Sequence, residues 1–433
     1  MTQKKTFLFT SESAYGPTNN CIGIGHELLR RGHRVVFAAE ASWEGKLSPL
    51  GFEEDLVHLA APDEPVEGEP EQDAGQFWKD YIAETAPEFR KSTLEQLETV
   101  VAPIWSELID ASKYVQGQLV EIIERAKPDV LIQDNVSAYP AMVTAEAPFV
   151  KIISCNPLEK PGKHVAPVFS GYAESEPEKW QAFEDEYERT HRDLWTGFNE
   201  WVQEQGAPAL PDLQFLHDGD LNLYVYPHEL DYTDARPLGE SWHRLDSSVR
   251  QTESAPDIPD EFLAGEGPLI YFSLGSLGSA DVELMNRVIS VLATLPIRVI
   301  VSKGPRHDEI ELADNMFGAE FLPQTTILPL VDLVITHGGN NTVTESVHFG
   351  KPMIVLPLFW DQYDNAQRVH EKGLGRRLPT YTFTADQMRD AIFDQLGDVD
   401  LLRRMDEIGA RVRGKNGLVH AADLIEQLAT TGR

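Results

Sequence analysis

Residues 321–365 read FLPQTTILPLVDLVITHGGNNTVTESVHFGKPMIVLPLFWDQYDN, and this stretch contains the most informative pattern of the chain. Its two short apolar runs, LVITH and MIVLPL, lack the alternation of a half-exposed strand, so they predict strands buried on both faces. Between them, Gly338 and Gly339 predict a tight turn, and a segment of helical length follows as far as Gly350. A strand, a turn, a helix and a second strand in this order predict a parallel α/β sheet.

Apolar runs of the same kind recur in both halves of the chain. They are TFLFT, RVVFAAE, DVLIQD, FVKIISC and LNLYVY in the first half, and LIYFSLG, IRVIVSK, LVITH and MIVLPL in the second. Two such series predict two doubly wound, Rossmann-like domains whose ligands bind at the carboxyl ends of the strands, in a cleft between the domains. The predicted division is an N-terminal domain at 1–245, a polar linker at 246–267, a C-terminal domain at 268–412 and a final helix at 413–433.

Composition excludes several classes of function. The 433 residues carry a formal net charge of −33, and so acidic a surface repels nucleic acid, so no nucleic-acid partner is expected. The two cysteines, Cys21 and Cys155, lie in no CxxC or Cys/His cluster, which argues against a disulfide framework and a structural zinc site. No apolar stretch reaches the roughly 18 residues of a membrane span, and the N-terminal apolar run is too short for a signal peptide. We therefore expect a cytoplasmic protein.

The turn after LVITH has the chemistry of an anion site. Asn340, Asn341 and Thr342 can cap the helix that follows, whose free backbone N–H groups and positive dipole end attract a diphosphate. His337 adds a ring donor at the same place. Glu345 lies about one helical turn after Thr342, where its carboxylate suits two vicinal ribose hydroxyls. The sequence therefore predicts a nucleoside diphosphate at this helix.

These residues resemble the donor-binding signature of the UDP-glycosyltransferase superfamily, the family 1 glycosyltransferases of GT-B fold. The family pattern is an aromatic or apolar residue before Pro-Gln, then His-Gly-Gly, a Ser or Thr, a Glu, Gly-x-Pro and Asp-Gln; every element occurs here in order. Within the superfamily the chain looks most like bacterial glycosyltransferases that act on macrolides and other natural products. The resemblance implies an inverting, metal-independent hexosyltransferase that needs no cofactor besides a UDP- or dTDP-sugar as co-substrate.

The resemblance also assigns roles in the C-terminal half. Phe321 would stack on the base, Gln324 would contact the base or ribose, Glu345 the ribose, and the residues around His337 the diphosphate. Trp360 is bulkier than the residue commonly found there; it could shape the sugar pocket or pack against the neighbouring loop. Asp361 and Gln362 would contact the sugar hydroxyls. The complete set of predicted donor-binding residues is Gly275, Ser276, Phe321, Gln324, His337, Gly339, Asn341, Thr342, Glu345, Trp360, Asp361 and Gln362.

The N-terminal half departs from the family at one position. Family members keep a histidine after the first strand, which deprotonates the acceptor hydroxyl, and an aspartate that orients the histidine. Counting back from residues 31–33 (RGH) places Pro17 where the histidine is expected, and Asp134 occupies the aspartate position. Three explanations stay open. The base is another residue, namely Asp134, Glu12 or His164; the acceptor is acidic enough to need little help; or the protein binds the donor without transferring the sugar.

The acceptor side of the cleft is predicted to be apolar. The candidate acceptor-binding residues are Tyr15, Tyr139 and Phe169. The resemblance further implies that the C-terminal helix packs near the domain junction and that the N-terminal domain binds the acceptor. The expected partners are thus a nucleotide-sugar donor and a small-molecule acceptor.

Overall fold

The computed structural model describes residues 3–11, 15–61 and 84–432. The strands in these ranges are β1 (Thr6–Ser11), β2 (Arg34–Ala38), β3 (Glu53–Glu54), β4 (Val130–Asp134), β5 (Phe149–Ile153), β6 (Leu221–Tyr224), β7 (Trp242–Arg244), β8 (Leu269–Ser273), β9 (Arg298–Ser302), β10 (Met316–Ala319), β11 (Leu333–Thr336), β12 (Met353–Val355) and β13 (Gly375–Arg377).

The helices in the same ranges are α1 (Tyr15–Arg30), α2 (Thr93–Gln96), α3 (Ala102–Ala126), α4 (Pro140–Thr144), α5 (Trp180–Glu204), α6 (Asp260–Leu263), α7 (Gly275–Gly278), α8 (Val282–Leu292), α9 (Gln324–Ile327), α10 (Asn340–His348), α11 (Gln362–Glu371), α12 (Ala385–Gly397), α13 (Val399–Lys415) and α14 (Gly417–Thr431). None of these described helices is both long and apolar enough to cross a membrane.

The described strands form two sheets in which every neighbouring pair is parallel. The first sheet has the order β3-β2-β1-β4-β5-β6-β7, and the second has the order β10-β9-β8-β11-β12-β13. Their central strands, such as β1, β4, β8 and β11, are buried along almost their whole length, as continuous apolar runs in parallel sheets require. The predicted pair of doubly wound sheets is confirmed.

Strand order determines where each sheet can bind a ligand. The order reverses between β1 and β4 in the first sheet and between β8 and β11 in the second, and crevices open at such points beyond the carboxyl ends of the strands. In the first sheet the register pairs Ser11 with Asp134, so the ends of β1 and β4 meet. In the second sheet Ser273 pairs with Thr336, which places His337 at the corresponding crevice.

The segment between the two sheets is partly buried. Asp246 lies in the interior and accepts hydrogen bonds from Arg411 of α13, and it also pairs with Lys415 at the end of that helix. Helix α13 ends at Lys415, and the chain turns at Asn416 into α14, which packs on α1. Gly417 is required there, because a Cβ at this position would lie 2.2 Å from the Ser247 carbonyl oxygen. The domain boundaries themselves stay predictions.

Candidate active site

A cavity of about 490 Å³ lies where the carboxyl ends of the two sheets meet. Its lining comes from both halves of the chain: the start of α1 and the residues after β5 on one side, and the residues after β8, β11 and β12 on the other. Every residue predicted to bind the donor lines this cavity, namely Gly275, Ser276, Phe321, Gln324, His337, Gly339, Asn341, Thr342, Glu345, Trp360, Asp361 and Gln362. Residues predicted from spaced motifs are thus brought together in one place.

His337 follows β11 and is held between two glycines. A Cβ on Gly275 would lie 2.7 Å from Cε1 of the ring, and one on Gly339 would lie 2.6 Å from Nε2, so neither position tolerates a side chain beside this ring. Burial lowers the pKa of His337 to about 4, which keeps the imidazole neutral at physiological pH. A neutral ring with one N–H can donate a hydrogen bond to a phosphate oxygen.

Helix α10 begins without a side-chain cap. The predicted capping residues lie inside the helix, and the residue before it, Gly339, offers no side chain to the first-turn N–H groups. The side-chain amide of Asn340 instead donates a hydrogen bond to the Ser154 carbonyl oxygen at 2.6 Å. The side-chain amide of Asn341 donates one to the Gly16 carbonyl oxygen at 2.9 Å. The two asparagines therefore connect the start of α10 to the N-terminal half of the chain.

Glu345 lies in a small network that the sequence did not reveal. Its carboxylate accepts a hydrogen bond from Gln324 Nε2 at 2.5 Å and forms an ion pair with Arg250 Nη1 at 2.8 Å. Arg250 also pairs with Glu253, which accepts from the backbone N–H of Thr325 at 2.8 Å. Burial raises the pKa of Glu345, and the neighbouring Arg250 opposes this shift. Arg250 and Glu253 both line the cavity, although they belong to the predicted linker.

The sugar end of the predicted donor site is formed by the residues after β12. Trp360 has φ of +58°, a left-handed conformation that is strained for a bulky residue, and its ring lies 4.4 Å from Phe169 and 5.2 Å from Trp105 between ring centroids. It therefore lines the cavity and packs against its neighbours at the same time. Asp361 accepts from Asn365 Nδ2 at 2.8 Å. Burial, followed by the charge of Asp364, raises the pKa of Asp361 well above its ordinary value.

The region of the expected base has an unusual arrangement. Pro17 lies in the first turn of α1 and lines the cavity, whereas Asp134, at the end of β4, is 2% exposed and is not among the described lining residues. Ser154 Oγ lies 2.9 and 2.8 Å from the two carboxylate oxygens of Asp134, and Ser154 itself lines the cavity. Of the other two candidate bases, Glu12 lies outside the described residues. His164 is exposed and is not among the residues that line the cavity.

Two of the three predicted acceptor residues, Tyr139 and Phe169, are not among the described residues that line the cavity. Tyr139 is buried in the apolar core of the N-terminal half, Phe169 lies behind Trp360, and the side chain of Tyr15 is outside the described part of the structure. Apolar lining that sequence reasoning missed comes from Trp43, Ile104, Leu108 and Cys155 of the N-terminal half, while Leu277 and Phe359 add apolar surface from the donor side. The only sequence signal was the pair Ile104 and Leu108, which lie four residues apart on one face of α3.

Comparison with known proteins agrees with this geometry. Residues 252–399 match the family model described as "UDP-glucoronosyl and UDP-glucosyl transferase". Over these residues the chain is similar to the UDP-glycosyltransferase family. Oleandomycin glycosyltransferase of Streptomyces antibioticus is 26% identical over 96% of this chain and 89% of its own length. The NDP-glycosyltransferase YjiC of Bacillus subtilis is 24% identical over 95% and 94%.

Solved structures of glycosyltransferases share the fold. The glycosyltransferase of kitacinnamycin has a TM-score of 0.72 at 22% identity and covers 98% of this chain and 99% of its own. VinC, solved in complex with dTDP, has a TM-score of 0.63 at 18% identity and covers 97% of this chain and 100% of its own. The predicted GT-B fold and the predicted enzyme class, a nucleotide-sugar-dependent glycosyltransferase, are both confirmed.

Proposed function

We propose that this enzyme transfers a hexose, with inversion, from a UDP- or dTDP-sugar to a small and largely apolar acceptor. The observation that carries the proposal is the cavity where the carboxyl ends of the two sheets meet. One side of it holds the complete set of predicted donor residues, and the other side is an apolar wall that includes Ile104 and Leu108. A nucleotide sugar on the first side would present its anomeric carbon toward an acceptor on the second.

The chemistry follows from the charge that develops on the leaving diphosphate. The uncapped start of α10 offers backbone N–H groups and a positive dipole end, and the neutral His337 offers a ring N–H. These donors can stabilise the diphosphate while the acceptor oxygen attacks the anomeric carbon from the opposite face. We propose that no metal takes part, so a chelator such as EDTA should leave kcat unchanged; loss of activity that Mg²⁺ or Mn²⁺ restores would overturn this point.

Donor binding can be tested by calorimetric titration with UDP and dTDP. His337→Ala and Glu345→Ala should each weaken binding about ten- to a hundred-fold, because hydrogen bonds to charged groups contribute roughly 1.5–3 kcal/mol. A matched pair on α10 provides the control. Thr342→Ala alters a threonine that lines the cavity and should weaken binding, whereas Thr344→Ala alters a buried threonine outside the lining and should not. Equal affinities in all four variants would overturn the donor site.

A second function is favoured by one observation, the presence of Pro17 at the cavity where the family keeps a histidine. A protein without a base could bind the donor and transfer nothing. Incubation of the wild type with UDP-glucose or dTDP-glucose and a panel of phenols, alcohols and carboxylic acids separates the two. Turnover of any acceptor supports the transferase; tight donor binding with no turnover over the whole panel supports a donor-binding regulator.

A further inference from the structure

Ser154 stands between the buried Asp134 and the cavity. It is the first residue after β5, and β5 is the neighbour of β4 in the sheet, so both residues lie at the same carboxyl edge. The hydroxyl oxygen is 2.9 and 2.8 Å from the two carboxylate oxygens, which makes Ser154 the donor and Asp134 the acceptor. Ser154 is among the residues that line the cavity and Asp134 is not, so Ser154 is the residue that joins the buried carboxylate to the cavity wall.

The position of Ser154 is fixed from the donor side as well. Its carbonyl oxygen accepts the 2.6 Å hydrogen bond from the amide of Asn340, the first residue of α10. Asn340 is followed by Asn341 and Thr342, which line the predicted diphosphate site. One serine is thus held between the buried carboxylate and the loop at which the leaving group is expected.

A serine hydroxyl is suited to passing a proton on. It can accept one hydrogen bond while it donates another, so a proton can enter and leave it without leaving a charge behind. Pro17, on the same side of the cavity, has no group that can accept a proton, and the amide of Asn19 is not basic. The geometry points to Ser154 as the residue that relays the acceptor's proton to Asp134, an inference that rests on the proposed transfer reaction.

The relay step balances as follows. The acceptor O–H bond breaks as its proton moves to Ser154 Oγ, and the original Ser154 proton moves to the Asp134 carboxylate. The acceptor oxygen forms a bond to the anomeric carbon with its freed electron pair. The bond from that carbon to the diphosphate oxygen breaks, and its electron pair leaves with the diphosphate. Asp134 holds the proton until it is lost to water after the product has left, which regenerates both groups.

The test uses a series of acceptors of increasing pKa, from nitrophenols through phenol to alkyl alcohols. Ser154→Ala should lower kcat about 100-fold for alcohols, within the usual range for general-base assistance, and less than about ten-fold for nitrophenols, which ionise by themselves. Ser154→Thr keeps a hydroxyl and should recover most of the rate. UDP affinity should be unchanged in both variants, because neither substitution removes a predicted donor contact.

Ser137→Ala is the matched control. Ser137 is another buried serine of the same domain, and its hydroxyl pairs with Ser112 at 2.8 Å away from the cavity. Its substitution should leave the acceptor series unchanged. If Ser154→Ala does not fold, Ser154→Gly removes the same hydroxyl.

The possible outcomes separate the relay from the proposed function. An equal loss of kcat for every acceptor in Ser154→Ala means that Ser154 only supports Asp134 structurally. An unchanged kcat means that Ser154 has no role in the transfer. Either result overturns the relay and leaves the proposed transferase activity intact. A wild type that transfers to no acceptor overturns the proposed function, and the relay with it. A loss that grows with acceptor pKa, recovered by Ser154→Thr, supports both.

Discussion

The two cysteines of the chain lie in opposite environments. Cys21 is fully buried in α1, and burial followed by the charge of Asp134 raises the pKa of its thiol well above the ordinary value. Cys155 is only partly buried and lines the cavity, next to Ser154. The thiolate is the reactive form of cysteine, so burial and a raised pKa make Cys21 unreactive while Cys155 is exposed to reagents that enter the cleft.

We expect iodoacetamide at about pH 8 to alkylate Cys155 and spare Cys21 in the native protein. Peptide mass spectrometry measures the two sites separately. A bound acceptor should slow the labelling, because it covers the cavity wall to which Cys155 belongs. Cys155→Ser should abolish labelling of the native protein. Faster alkylation of Cys21 than of Cys155 would contradict the burial on which this expectation depends.

At the scale of an element, α5 contains a histidine that is kept neutral by its surroundings. His191 is fully buried, its ring stacks on Tyr187 at 4.0 Å, and Nδ1 lies 3.1 Å from the Tyr187 carbonyl oxygen. Among the described residues Nε2 has no hydrogen-bond partner. Burial lowers the pKa of His191 to about 4, because a proton on Nε2 would place an unpaired charge inside the helix packing.

This histidine should make the fold sensitive to acid. In the unfolded chain the pKa is about 6.5. Between that value and about 4 the unfolded state binds a proton that the folded state does not, so the free energy of unfolding falls as the pH is lowered. His191→Phe keeps the aromatic stack and removes the titration. The difference in unfolding free energy between about pH 7 and pH 5 should shrink by about 2 kcal/mol, measured by urea denaturation.

The exposed His164 provides the comparison for that experiment. His164→Phe makes the same change of side chain at an exposed position and leaves the buried stack of His191 on Tyr187 intact. The same shrinkage in both variants would mean that the effect comes from adding an aromatic ring and not from removing a buried titratable group.

At the scale of the whole molecule, the C-terminal helix α14 packs against the N-terminal half of the chain. Helix α14 packs on α1, with Ala421, Ala422 and Ile425 buried in the core that β1 and α1 form. The contact is reinforced at its edge by Glu426, which lies 2.5 Å from Arg31 Nη1. The N-terminal half is therefore completed by the last residues of the chain.

Ile425→Ala should destabilise the N-terminal half although it alters the C-terminal end of the sequence. Large-to-small substitutions at fully buried positions cost about 2–5 kcal/mol. Hydrogen exchange should show faster opening of β1 and α1, with little change in β8 and β11, and UDP affinity should stay the same. Gln427→Ala, at an exposed position of the same helix, should have no effect. Faster exchange in the second sheet alone would contradict the packing.

Much of the fold and of the donor side could be predicted because the signals are local. Apolar runs without alternation predicted the strands, a glycine pair predicted the turn after β11, and the three-residue spacing from Thr342 to Glu345 places both residues on the face of α10 that lines the cavity. Each signal depends on residues within a few positions of one another, where backbone geometry alone determines which side chains are neighbours.

The remaining features depend on strand order and on how the halves pack. Arg250 reaches Glu345 from 95 residues away, and Ser154 reaches Asp134 only because β4 and β5 are adjacent in the sheet. The same packing put Tyr139 into the core and brought Ile104 to the cavity wall. The sequence by itself determined the strands and the glycine turn after β11. Only the tertiary structure decided that Ser154 contacts Asp134 beside the cavity, because no periodicity along a chain records which distant strand ends become neighbours.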